Sequence, residues 1–133
     1  MTINTILIIE PDSQWHEIYR REFQRHLPGV EVACVAETEA ALALTRERRF
    51  DLYTTNYLGR SSGRIVWEAD DLLRQRVAAI RELHPDAQIA LVSAGAKLTL
   101  ERITEELGIG YFRKQDREFI QDIAAHYGSA KRK

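Results

Sequence analysis

The 133-residue sequence predicts an α/β fold: a single doubly wound (βα)5 three-layer sandwich. Two observations carry that expectation. Short apolar, β-branched runs alternate with amphipathic stretches at helical spacing, five times over. The first and fourth runs are apolar throughout, as strands are when both faces of a parallel sheet are covered. Right-handed crossovers between such strands place helices on both faces.

"TILIIE" at 5–10 is the first strand, ended by Pro11, with a helix N-cap at Asp12 or Ser13. Trp15, Tyr19, Phe23 and Leu27 then recur every fourth position, opposite a charged face, until "PG" at 28–29 closes the helix. "VEVACVAE" at 30–37 is strand-like, and Thr38 caps an alanine- and leucine-rich helix to about Arg48. "DLYTTN" at 51–56 is the third strand, rich in β-branched and aromatic residues. "GRSSG" at 59–63 reads as a turn or loop. Beyond it Val66, Ala69, Leu73, Val77, Ile80 and His84 keep helical spacing up to Pro85. "QIALVSAG" at 88–95 is the fourth strand, followed by a helix over 98–107 with Gly108 as its C′ residue. "IGYFRK" at 109–114 is the fifth strand. "DREFIQDIAAHY" at 116–127 is the last helix, with Phe119, Ile120 and Ile123 inward. Residues 1–127 therefore form one domain, and 128–133 a basic, disordered tail or the start of a linker.

Hydrophobic residues make up 44% and charged residues 29% of the chain, a globular balance. The formal charge of −1 provides no overall attraction to nucleic acid or anionic membrane. Cys34 is the only cysteine, which excludes an intrachain disulfide and fits a reducing cytoplasm, with the thiol packed in the core. No apolar run approaches membrane-spanning length. The expected setting is cytoplasmic.

In open α/β sheets, ligands and reactive groups gather at the carboxyl ends of the strands. Here those ends carry Glu10, Pro11 and Asp12, then Asn56, then Ser93 and Ala94, then Lys114. Singly, each has a plain role: an acid favours the next helix N-terminus, a serine satisfies a turn, a lysine is solvated. Together they put an acid, an amide, a hydroxyl and an ammonium on one rim.

With "ILIIEPD", "DLYTTN", "ALVSAG" and "GYFRKQ" in this order and spacing, the chain resembles the receiver domain of two-component response regulators over roughly residues 5–127. The resemblance implies the flavodoxin-like receiver fold, a five-stranded parallel sheet of order 2-1-3-4-5. In that family an acidic pair after the first strand holds magnesium, and an aspartate ending the third accepts a phosphoryl group from a histidine kinase. On this sequence Glu10 falls on the first acid, Ser93 on the hydroxyl position, Lys114 on the lysine and Tyr111 on the switch aromatic. The departures are Pro11 at the second acid, Asn56 at the acceptor and Gln115 after the lysine. An amide is a far poorer nucleophile than a carboxylate, and magnesium wants carboxylate oxygens. The expectation is a degenerate phosphorylation site, with Asp12 one residue too far along to compensate. No cofactor is expected, with magnesium binding lost or weak. Lys114 is then free to hydrogen-bond the Asn56 carbonyl or to pair with Glu10.

Asn56 and Ser93 lie 37 positions apart, about two helical turns more than receivers use. The apolar spacing back to Val66 assigns the excess to a lengthened third helix, with Trp67 at its start either half-buried or a partner anchor. The function expected is a pseudo-receiver that signals by phosphorylation-independent protein binding. Its partner would be a histidine kinase, a downstream effector or a second copy. The surface would be the fourth helix, fifth strand and last helix, exposing Lys97, Arg102, Tyr111 and Arg113. The alternatives are a receiver phosphorylated on a non-standard residue, or the receiver of a larger regulator with an output domain elsewhere. Enzyme chemistry is not expected. There is no glycine-rich phosphate loop and no nucleophile elbow, and His16, His26, His84 and His126 fall on helices away from the strand ends. Nucleic acid is not an expected partner, because "RERR" at 46–49 and "KRK" at 131–133 accompany no recognition motif.

Overall fold

A computed structural model of the chain describes residues 3–57, 60–61, 64–65, 69–93, 97–114, 116 and 118–128. In chain order the elements are β1 (Thr5–Ile9), α1 (Ser13–His26), β2 (Glu31–Val35), α2 (Thr38–Glu47) and β3 (Leu52–Asn56). A hairpin follows, β4 (Arg60–Ser61) with β5 (Arg64–Ile65), then α3 (Ala69–Leu83), β6 (Gln88–Ser93), α4 (Lys97–Leu107), β7 (Gly110–Arg113) and α5 (Phe119–Gly128). The five main strands form one parallel sheet in the order β2-β1-β3-β6-β7, the expected 2-1-3-4-5 arrangement of a flavodoxin-like fold.

Alternation along the central strand explains why "TILIIE" is apolar at every position. Ile6 and Ile8 enter one core with Tyr19, Phe23 and the α5 residues Phe119, Ile120 and Ile123. Leu7 and Ile9 enter a second core, with Tyr53, Leu73, Val77, Ile80 and Ile103 on the opposite face. All four β1 side chains are essentially inaccessible, and each such burial contributes about 1.5–3 kcal/mol. The sheet thus has α1 and α5 against one face and α2, α3 and α4 against the other.

Local signals set most boundaries. Asp12 is the N-cap of α1, its carboxylate accepting from Gln14 N–H at 2.9 Å. Gly29, at φ +86°, and Gly108, at φ +68°, take the left-handed turns that stop α1 and α4. Three boundaries differ from expectation. Thr38 is not a cap: Glu37 holds that position without a side-chain cap bond, and the Thr38 hydroxyl instead accepts from Arg76. The last helix begins at Phe119, because Asp116 C=O closes a turn on Phe119 N–H. It reaches Gly128, and the expected tail beyond lies outside the described residues.

The third correction concerns the extra chain after β3. The expected loop contains an antiparallel hairpin, Arg60 opposite Ile65 and Ser61 opposite Arg64. From Ala69 the helix runs for 15 residues, and the hairpin lies within the expected loop, ahead of the chain that the apolar spacing assigns to the helix. Val66 and Trp67, where that spacing began, lie outside the described residues.

Candidate functional site

The carboxyl ends of β1, β3, β6 and β7 meet at one edge of the sheet. There the sequence-predicted residues divide into a tightly bonded pair and a set of separate neighbours. Lys114 Nζ lies 2.6 Å from Glu10 Oε1, with the side chains 13% and 4% exposed. Glu10 Oε2 accepts from Asp12 N–H at 3.1 Å, and its backbone carbonyl meets His16 Nε2 at 2.7 Å. The Lys114 ammonium also sits 4.5 Å from the centre of the Trp15 ring, a cation–π contact, and the Lys114 backbone N–H donates to Ser93 C=O at 3.1 Å. Of the two expected roles for Lys114, the structure selects the pair with Glu10. His16, expected away from the strand ends, is drawn back to one because the first turn of α1 folds over Glu10.

Asn56 stands half-buried at the end of β3, in register with Val92 of β6. Its backbone carbonyl accepts from Arg76 Nη1 at 2.9 Å and from Thr55 Oγ1 at 3.2 Å. Ser93 ends β6 beside Arg113 and is buried. Ala94 and Gln115 lie outside the described residues.

The donor set at this rim does not fit a magnesium ion. Both Glu10 oxygens are engaged, and Asp12 is exposed and spent on its helix cap. Pro11 and Asn56 bring no carboxylate. Among the described residues no three His, Cys, Asp or Glu side chains gather as metal ligands would.

Arg76 is the residue that sequence reasoning missed. It is 1% exposed on α3, with Nε donating to Thr38 Oγ1 at 2.9 Å and Nη1 to Thr55 Oγ1 and to the Asn56 carbonyl. Nη2 is buried without a hydrogen-bond partner. Burial pulls its pKa down to about 10, against a smaller opposing influence from Glu39. This guanidinium ties α2, β3 and α3 together immediately beneath Asn56. The signal was present: Arg76 falls three positions after Leu73 and four before Ile80, a charge on the apolar stripe of its helix. Nearby, Tyr57 Oη donates to the Asp70 carboxylate and so joins the end of β3 to the first turn of α3. Burial, and then the carboxylate to which it donates, push the Tyr57 phenol up to about 12.

In fold the chain is similar to solved receiver domains. A CheY-like receiver domain from Methanospirillum hungatei superposes with a TM-score of 0.74 at 18% identity, covering 98% of both chains. A LuxR-family two-component response regulator from an Aurantimonas species reaches 0.74 at 24% identity, over 95% of this chain and 85% of that one. An orphan response regulator of H. pylori reaches 0.70 at 19% identity, over 92% of each. The fold is that of the receiver domains. No protein-family model matches the sequence, and no curated protein matches it.

On this receiver fold the expected partner surface needs correction. Arg102 is exposed on α4, but Tyr111 and Arg113 are only half-exposed. Tyr111 packs against the core formed with Leu100 and Ile103, and its hydroxyl is buried without a hydrogen-bond partner. Burial raises its pKa. The Arg113 Nε is likewise buried and unpartnered. The cause is the α4 helix, which lies over β7 and shields side chains that an uncovered edge strand would expose. Lys97 opens α4, and its side chain lies outside the described set. No described helix is long and apolar enough to cross a membrane.

Proposed function

We propose that this chain is a receiver-like signalling module that works without phosphorylation, by binding a protein through the α4–β7–α5 face. One observation carries the reading: the rim lysine and the rim acid neutralise each other, Lys114 against Glu10 at 2.6 Å. The ammonium that would meet a phosphoryl group is already committed, and so is the carboxylate that would meet a metal. Asn56 supports the same reading, because an amide cannot form an acyl phosphate. Magnesium binding is correspondingly weak or absent. Arg76 holds the main chain at Asn56 from below, so the end of β3 keeps one conformation without a ligand. The partner is a signalling protein, a kinase or an effector, that reads this fixed surface. One structural neighbour is itself an orphan response regulator.

Treatment with acetyl phosphate and Mg²⁺ tests this directly. Intact-mass spectrometry is expected to show no added phosphate on the wild type or on Asn56→Asp. Trp15 fluorescence is expected to stay unchanged on adding Mg²⁺. Phosphate uptake by Asn56→Asp alone would show that Lys114 and Glu10 remain available, and would overturn the reading.

A further inference from the structure

Helix α4 is poorly equipped to end by itself. Its last turn carries Glu105 and Glu106 and no basic residue, so two acids stand at the negative end of the helix dipole. The missing cations come from α3. Arg81 donates from Nη1 to Leu107 C=O at 2.7 Å and from Nη2 to Gly108 C=O at 3.3 Å, satisfying carbonyls that a helix end leaves open. Arg74 holds Glu106 with two parallel bonds, Nε to Oε2 at 2.9 Å and Nη2 to Oε1 at 3.1 Å. An ion pair this exposed contributes little energy alone, but its fork geometry fixes how α4 lies against α3.

The other end of this connection is the rim. From the same helix Arg76 reaches the backbone carbonyl of Asn56, Thr55 Oγ1 and Thr38 Oγ1. Between the two attachments α3 is stiffened by Leu73, Val77 and Ile80, buried in one core with Leu100 and Ile103 of α4. Strand β7 offers no such hydrogen-bonded link through Tyr111, whose hydroxyl has no partner. We propose that α3 sets where α4 lies, as a rigid link between the end of β3 and the end of α4, with Arg76 the positioning residue at the rim. The proposal rests on the reading of α4–β7–α5 as the partner face, and adds what holds that face. Releasing α3 from β3 then loosens α4, although no hydrogen bond of Arg76 among the described residues reaches α4.

Amide hydrogen exchange of the full chain, resolved by segment, tests this. Arg76→Met is expected to accelerate exchange over 100–107 at least about fivefold, while α1 changes by less than about twofold. Arg74→Met/Arg81→Met is expected to accelerate the same segment of α4. On that background Arg76→Met is expected to add nothing at α4, because the link is already cut. Arg76→Lys, which keeps the charge and loses the fork, gives the same reading if the methionine variant does not fold. Unchanged exchange in α4 overturns the proposal, and so does equal acceleration in α1, which is general destabilisation. So does a triple variant in which the two effects multiply, since Arg76 would then act on α4 without Arg74 and Arg81. Exchange is read with neither phosphate nor partner present, so its failure is distinguishable from phosphate uptake by Asn56→Asp.

Discussion

At the scale of single residues, Lys114 and Glu10 show what a buried ion pair contributes. The Glu10 carboxylate is almost dry and is held by one ammonium and one backbone N–H. Breaking such a pair from one side is strongly destabilising, because the remaining charge stays buried without its partner. Lys114→Met is therefore expected to lower the unfolding free energy by about 3–5 kcal/mol in urea titration. Adding Glu10→Gln is expected to recover more than half of that loss, since the orphaned charge goes with it. A single variant within about 1 kcal/mol of wild type would mean that water reaches Glu10. The residues at this rim could be nominated from sequence, since each ends a strand. Their partners could not. Lys114 and Glu10 are 104 positions apart, and only the register of four strands decides that the ammonium reaches the acid and not the amide.

At the scale of elements, β7 and α5 meet through a glycine. A methyl group at Gly110 would run into the Tyr127 hydroxyl and come within 3.1 Å of the Phe112 ring. Tyr127 has little room to yield, being buried with its hydroxyl donating to the Ile89 carbonyl at 3.3 Å. Gly110→Ala is expected to cost about 1–3 kcal/mol by overpacking, read from the chemical-denaturation midpoint. Adding Tyr127→Phe removes the atom in the way and is expected to return part of it. Element type and order were legible because they follow from local periods of two and 3.6, and from local caps such as Asp12. The hairpin at 60–65 was not. Two-residue strands leave too short an alternation to detect.

At the scale of the whole molecule, all five tyrosines have their phenols raised above the ordinary value of 10. Tyr57 and Tyr127 stand at about 12, with burial the largest cause for both. A raised phenol favours the folded state fully below pH 10. That advantage is lost between about pH 10 and pH 12, where the unfolded chain ionises and the folded one does not. Arg76 runs the other way: its pKa is lowered to about 10, so the penalty for burying its charge eases above that pH. Five groups outweigh one, and thermal stability is expected to fall steeply above about pH 10. Tyr127→Phe is expected to flatten that fall by roughly 1 kcal/mol per pH unit, measured by melts across the range. Sequence alone was enough for the doubly wound sheet, its strand ends and the absence of carboxylates at positions 11 and 56, because residue type and short-range spacing are properties of the chain. Only the tertiary structure could bury Arg76 under Asn56, fold α4 over Tyr111 and join Lys114 to Glu10, because which groups meet, and how dry they are, depends on the packing of segments far apart in the chain.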